Sequence, residues 1–436
     1  MIEQIAFVLV LLVAGYFLAR RIAFIRNNIR LGKPARINDY PERRWRNLLL
    51  IAFGQKKMFK RPFPALLHLF VYVGFLVINI EVLEFIIDGV TGNHRTFAPF
   101  LGGFYTALMN IFEALAVAVL VSCVIFLMRR NLAKVRRFWT YEMTRWPRLD
   151  ANIILVTEIV LMVAILTMNA ADQLLQDQHA AYPATGHLFF SSLLMPLFSG
   201  LSIEALVVVE RVAWWFHILG ILGFAIYITW SKHLHIFMAF PNTWYARVDP
   251  VGKMNNMPAI TNEVKMMLGM PVDEPMPQQE PGRFGARDVN DLPWNLLMAA
   301  YTCTECGRCT AECPAHQTGK KLSPRKIVMD TRDRMEEVGR SLRSGGPGLE
   351  DGKGLLNDYI TKEEINACTS CHACVEACPV MISPLDIIVE LKRYVTMEES
   401  GAPPAWNNMY QNIETNFAPW KFSPSDRFNW AREAGD

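Results

Sequence analysis

Two stretches decide how this chain is read: CTECGRCTAECP at residues 303–314 and CTSCHACVEACP at residues 368–379. Each repeats Cys-x-x-Cys-x-x-Cys-x-x-x-Cys-Pro. Three thiolates at three-residue spacing can wrap one side of an iron–sulfur cubane, and the fourth turns away to the other cluster. The spacing therefore predicts one [4Fe–4S] cluster on Cys303, Cys306, Cys309 and Cys378. It predicts a second on Cys368, Cys371, Cys374 and Cys313. Structural zinc sites present separated cysteine pairs, so two continuous runs of four favour cubanes. His316 and His372 lie beside the runs and are expected to shield the clusters, because each cluster already has four thiolates. The prolines close each ligand loop and open a helix, so helices covering the clusters are expected over 320–335 and 384–397.

Working outward, the 54 residues from Pro314 to Ala367 separate the runs and contain a glycine cluster at 345–348 expected to form a surface excursion. Eight of the nine cysteines belong to the runs, and Cys123 stands alone in an apolar segment. Clustering of this kind indicates metal binding in a reducing compartment, not a disulfide framework. Net charge is only +3, which gives no indication of a nucleic-acid partner. No residue pattern suggests a nucleophile or a hydride site, so no catalytic residue is assigned.

Upstream the composition changes. Hydrophobic residues make up 52% of the chain and concentrate in the first 240 residues. A helix needs about 20 apolar residues to cross a bilayer, and five stretches qualify: 5–25, 64–87, 105–128, 153–170 and 205–230. The first lacks a basic n-region and a small-residue cleavage site, so a true span is expected and not a signal peptide. The segment 187–201 is apolar but short and contains Pro196; an interfacial or re-entrant piece is expected there. Basic residues crowd the loop after span one, from Arg20 to Arg61, and the loop after span three, from Arg129 to Arg148. The loop after span two has only Arg95, and 171–204 has no Lys or Arg. The positive-inside rule then puts the N-terminus outside and everything after Trp230 in the cytoplasm of a bacterial inner membrane. That side is also the reducing side the cysteines require.

The expected organisation is an all-α membrane domain of five helices over 1–240, a linker over 241–293, a mainly α-helical, ferredoxin-like dicluster domain over 294–398, and a tail over 399–436. Histidine within a span is costly and usually functional. His68 near the start of span two, and His233 and His235 just past span five, fall at the same cytoplasmic depth, as a bis-histidine haem between two helices requires. His217 is 18 residues before His235, five turns and about 27 Å along a continuous helix, so both are expected on one helix face. His94, His179 and His187 fall in outer loops and read as surface residues. Glu81, Glu84, Glu113 and Glu158 lie within or near spans, where helix-end positions compete with roles in proton or quinone chemistry.

These residues resemble a family. The first 240 residues are similar to the cytochrome b (gamma) subunit of respiratory nitrate reductase: His217-Ile-Leu-Gly and Lys232-His-Leu-His235-Ile-Phe match its two span-five histidines, and His68 matches its first histidine. Where that family has a second histidine ten residues later, this chain has Ile78. The resemblance implies one haem b shared by His68 and His235, and leaves His217, as ligand of a second haem, without a partner. The remaining residues resemble the dicluster domain of heterodisulfide-reductase-type iron–sulfur oxidoreductases. Fusion of the two halves looks like the membrane-bound electron-transfer-flavoprotein:quinone oxidoreductases of bacteria. Many relatives continue into a Cys-Cys-Gly domain; no Cys-Cys-Gly occurs here, so the resemblance implies a separate iron–sulfur subunit that supplies it. The function expected is electron transfer between a cytoplasmic partner, two clusters, haem b and menaquinone, with electron-transfer flavoprotein as the first-choice partner. A quinol-linked heterodisulfide or sulfur reductase subunit, and a haem-free membrane anchor with relay clusters, are the alternatives.

Overall fold

The computed structural model describes residues 1–250, 252–272 and 283–434. Five helices are long and apolar enough to cross a membrane: α1 (Ile2–Ile29), α2 (Pro62–Thr91), α3 (Gly103–Asn131), α4 (Arg145–Gln176) and α5 (Ile203–Ile228). Their boundaries follow local signals. Pro62 sits in the first turn of α2, where its missing N–H costs nothing. Ser202 caps α5 by accepting a bond from the Ala205 amide. Gly92 ends α2 at φ +78°, and a Cβ there would meet the Gln4 side chain at 2.1 Å. Each helix packs on its neighbour in sequence, and α1 also packs on α5, so the five close into a ring. Leu9, Leu12, Val208 and Val212 remain exposed on the rim, as a lipid-facing surface requires.

The two ends of the ring differ in chemistry. At the end away from the basic loops, Arg95 is buried and bonds Asn169 Oδ1 at 2.5 Å, Asp172 Oδ2 at 3.2 Å and Glu81 Oε1 at 3.4 Å. Tyr105 donates to Glu84 at 2.7 Å, and Glu113 accepts from the Phe190 and Ser191 amides. Glu81, Glu84 and Glu113 are therefore members of one buried network and not free helix-end carboxylates. The reading of His94 as a plain surface residue also fails. Its ring is half-buried and pairs with Asp172 at 2.8 Å, because the loop after α2 folds inward around Arg95. His179 and His187 are exposed as expected. The segment around Pro196 forms two short helical turns, 191–193 and 195–198, against this end.

The expectation of a continuous helix from His217 to His235 is not met. Helix α5 stops at Ile228, Ser231 is extended, and a new helix, α6 (His235–Tyr245), begins at His235 itself. The cause is Asp150 of α4. Its carboxylate accepts from Tyr227 at 2.5 Å, Ser231 Oγ at 2.6 Å and the Lys232 amide at 3.2 Å. Those bonds stabilise the break better than another helical turn would.

The cysteine-bearing part is helical, and no strand occurs among the described residues, only isolated bridges. Its main helices are α7 (Trp294–Thr302), α8 (Pro324–Arg343) and α9 (Pro384–Met397). Both α8 and α9 start with a Ser-Pro pair whose serine caps the helix; that cap places the start of α8 four residues later than expected. Residues 286–292 belong to the same core, with Ala286, Val289 and Leu292 fully buried. Ile25, Ile228 and Leu234 from the spanning half join it. The domain sits on the basic end of the ring. Arg21 of α1 forks onto Glu336 at 2.7 and 3.3 Å, Asn28 donates to Tyr301 at 2.8 Å, and Lys33 exchanges backbone bonds with Leu292 and Trp294. Arg325 pairs with Glu142 at 2.7 Å from the loop after α3.

Inside the domain, Arg334 has no solvent exposure and holds both Asp288, at 2.6 Å, and Asp351, at 2.6 Å. Removing it strands two mostly buried carboxylates. Arg334→Met is expected to destabilise the domain by about 3–5 kcal/mol, read as a lower unfolding temperature, whereas Arg340→Ala, at a site two-thirds exposed, should change little.

Candidate iron–sulfur and haem centres

The two cysteine loops have the same backbone. Glu305 and Ser370, second after the leading cysteine, lie at φ +54° and +56°; Gly307 and His372 lie at +70° and +61°. The Glu305 amide donates to Cys303 Sγ at 3.4 Å, and the Ser370 amide to Cys368 Sγ at 3.4 Å. A short helix follows in each, 308–311 and 373–377, and the two short helices pack together. The Ile382 amide reaches Cys378 Sγ at 3.2 Å. A chain turned to aim amide hydrogens and thiols at one point is what a cluster anion needs.

The thiols fall into two sets. Burial raises Cys309, and the neighbouring thiols that raise it further begin with Cys306, Cys303 and Cys378. Burial raises Cys378 to about 11, with Cys306 as the next cause. Burial likewise raises Cys374 to about 12, reinforced by Cys368, Cys313 and Cys371. Cys313 thus has Cys368, Cys371 and Cys374 of the opposite run as neighbours, and Cys378 has Cys306 and Cys309. All eight are free thiols. Soft donors in two sets of four fit two cubanes.

Of the eight, only Cys371 is exposed; Cys303, Cys313, Cys374 and Cys378 are buried and the other three intermediate. Arg308 donates to the Lys57 carbonyl at 3.3 Å, Asn242 of α6 to the Val380 carbonyl at 2.7 Å, and Lys60 pairs with Glu376. Glu305 is buried between Arg332, at 2.9 Å, and Lys232. Burial alone would raise its carboxyl, but the two cations outweigh that and hold it below the usual carboxylate range. His316 and His372 are half-buried.

Below the first loop lies a cavity of ≈ 510 Å³, whose wall includes Cys306, Arg308 and Val380 at the top and His68, His233 and His235 further in. The His68 and His235 ring centres are 6.3 Å apart. Two imidazoles sharing one metal through Nε2, with bonds of about 2 Å each, place their ring centres about 6 Å apart. Nδ1 of His68 faces Gln55 Oε1 at 3.1 Å, and Nδ1 of His235 faces the Lys232 carbonyl at 3.1 Å. Both acceptors fix the proton on Nδ1 and leave Nε2 as the free donor atom, the second-sphere arrangement of metal-bound histidine. Arg137 also lines the cavity, and its buried Nε has no partner. These features fit a planar, carboxylate-bearing macrocycle. His217 lines the same cavity, with Nδ1 on the Leu161 carbonyl at 3.0 Å and its ring edge-on to Phe85. Among the described residues no histidine ring contacts that of His217, and Ile78 is buried in the cavity wall.

Sequence reasoning missed Gln55, Lys232 and Glu305. The only local sign was Lys232 itself, a charged residue placed directly after an apolar span.

Known proteins agree with the iron–sulfur half of this picture. A model of the 4Fe-4S dicluster domain matches residues 302–382. The chain is similar to a probable iron-sulfur-binding oxidoreductase FadF of Bacillus subtilis, with 27% identity over 97% of this chain and 59% of that protein. It is also similar to an EtfAB:quinone oxidoreductase of Syntrophomonas wolfei, with 25% identity over 91% of this chain and 55% of that protein. A probable membrane-anchored ferredoxin of Chromohalobacter salexigens is 32% identical over 34% of this chain and 24% of its own length. Heterodisulfide reductase subunits match shorter stretches, 33% of this chain or less. The chain spans a little over half the length of the first two relatives. No solved structure matches. What these likenesses define is a chain with a 4Fe-4S dicluster domain over 302–382, beside five helices long and apolar enough to cross a membrane, that is similar over most of its length to iron–sulfur oxidoreductases.

The two loops make an internal control. A Cβ on Gly307 would lie 2.5 Å from Arg325 Nη1 and 3.2 Å from the Arg137 carbonyl, and would also incur about 1–2 kcal/mol at positive φ. Gly307→Ala is therefore expected to lower iron and labile sulfide well below wild type. His372→Gly, which relieves the same φ in the second loop, should keep both at wild-type levels.

Proposed function

We propose that the chain is a membrane electron-transfer subunit linking a cytoplasmic redox partner, two [4Fe–4S] clusters, one haem b and membrane quinone. The observation that carries this reading is the cavity joining the facing pair His68 and His235 to the Cys306 loop. Cys303, Cys306, Cys309 and Cys378 would hold the cluster next to that cavity. Cys313, Cys368, Cys371 and Cys374 would hold the other, at the exposed side where a soluble partner can approach. Bound clusters supply one-electron storage at a potential set by burial and by hydrogen bonds to sulfur. The haem, held by His68 and His235 with Arg137 available to its carboxylates, supplies a further one-electron site within the membrane half.

The chain's own residues do the positioning. Gln55 and the Lys232 carbonyl orient the two imidazoles. Lys232 also ties the His235 turn to Glu305, whose amide bonds Cys303. Leu76 and Asn79, exposed on the cavity wall, offer the lipid phase access to the cavity. The FadF-like and EtfAB:quinone oxidoreductase relatives support electron-transfer flavoprotein and menaquinone as the exchange partners. The heterodisulfide reductase relatives, which are named as subunits, support a further iron–sulfur subunit of the Cys-Cys-Gly type. The crowding of Arg and Lys at the domain-bearing end supports a cytoplasmic location for the clusters and an outer N-terminus, in a bacterial inner membrane. His217 has no facing ligand, and the reading gives it no second haem.

A haem-free anchor is the second reading, favoured by the likeness to a membrane-anchored ferredoxin. Optical spectra of the purified, reduced chain separate the two. The haem reading expects a b-type α-band that is lost in His68→Ala and His235→Ala and kept in His217→Ala, with about eight iron atoms retained in clusters in all three. Absence of the band from wild type holding its full cluster iron would select the anchor. Lys232→Met strands the buried Asp150 and Glu305 and is expected to lower cluster iron and the α-band together, whereas Lys232→Arg should retain most of both.

A further inference from the structure

A second cavity, of ≈ 300 Å³, lies outside the ring at its basic end, between α3 and α4. Its wall holds Arg130, Arg145 and Arg148 with Trp139, Asn131 and Asn152, and no carboxylate. Three arginines with no acid among them make a site suited to an anion. The nearby acids are engaged elsewhere: Asp150, although its charge reaches Arg130, is buried and spends its oxygens on Tyr227, Ser231 and Lys232, and Glu142 pairs with Arg325. Arg145 has no hydrogen bond or ion pair among the described residues. Arg148 donates only to the Thr144 carbonyl, at 3.2 Å, and stacks over Trp139 at 4.9 Å. Arg130 donates to the Pro147 carbonyl at 3.3 Å. The first turn of α4 forms part of the same wall, and its N-cap residue Thr144 makes no side-chain cap bond, so the positive end of a 32-residue helix adds to the field.

The surroundings point to the source of that anion. Leu132, Leu149, Trp146 and Met128 around the cavity are exposed, as side chains meeting lipid would be. Trp139 and Trp146 are exposed close to the ends of α3 and α4, the kind of position where tryptophan gathers when such ends meet a membrane interface. Basic pockets between helix ends at an interface bind lipid head groups, and arginine forks match phosphate oxygens.

We infer that this cavity binds the head-group phosphate of an anionic phospholipid, with Arg145 and Arg148 as its principal ligands and the acyl chains lying along Leu149 and Leu132. The site rests on the five helices lying in a bilayer and is independent of whether a haem is bound. Arg130 also lines the His68–His235 cavity, so an occupied lipid site would steady one wall of the proposed redox centre.

The test uses the full chain, purified in detergent and examined by native mass spectrometry with added phosphatidylglycerol, phosphatidylcholine or inorganic phosphate. Wild type is expected to retain one phosphatidylglycerol, at least tenfold more tightly than phosphatidylcholine and undisplaced by millimolar inorganic phosphate. Arg145→Gln/Arg148→Gln should lose that preference, whereas the charge-matched control Lys320→Gln/Arg340→Gln should keep it. If the double variant does not fold, Arg145→Gln alone, at an exposed position, should weaken retention severalfold. Equal retention of phosphatidylglycerol by the variants, equal loss in the control, or displacement by inorganic phosphate would each overturn the assignment.

Discussion

The structure depends on one buried lysine. Lys232 follows the membrane half directly, and its ammonium group sits between Glu305 of the first cysteine loop and Asp150 of α4. A buried charge is tolerated only when it is paired and hydrogen-bonded; Lys232 is the cation that Asp150 and Glu305 share, with Arg332 as a second partner of Glu305. Asp150 breaks the fifth helix, the break turns the Lys232 carbonyl onto His235, and Glu305 places the loop carrying Cys303 and Cys306. One electrostatic constraint thereby fixes the positions of a proposed haem ligand and a proposed cluster ligand.

The same logic explains the asymmetry between two loops with matching backbones. The first loop is pressed against the basic end of the ring, where Arg325 and the Arg137 carbonyl leave room only for Gly307. The second run touches that end through Glu376 and Val380 but leaves Cys371 exposed, and His372 occupies the equivalent left-handed position. Burial differs accordingly, and burial is one of the levers on cluster potential. On the proposed reading, the outward cluster meets the soluble partner and the inward one meets the membrane centre.

Much of this was legible in the sequence, for physical reasons that differ by element. The apolar stretches needed only length and composition, and all five became helices. The cysteine runs carry their chemistry in local spacing, so a dicluster domain could be read before any fold was known, and the 4Fe-4S dicluster match over 302–382 agrees with it; which thiols share a cluster is part of the proposal. The facing of His68 and His235 followed from equal depth at two helix ends. Long-range pairs left no such mark. Nothing local reveals that Asp150 would terminate a helix 80 residues later, that Gln55 would orient His68, or that Arg95 would gather His94, Glu81 and Asp172 into a buried network. A continuous helix from His217 to His235 failed for this reason: local hydropathy was intact, and a carboxylate from another helix decided the outcome.

The central claim is that the membrane half holds a redox centre connected to the clusters. It is tested most directly by anaerobic reoxidation of the fully reduced chain in lipid nanodiscs by a water-insoluble quinone, followed simultaneously at the b-type α-band and the cluster absorption. The account predicts that both signals decay together in wild type, and that His68→Ala keeps its clusters but leaves them reduced for far longer. Cluster reoxidation at the wild-type rate in His68→Ala would contradict it.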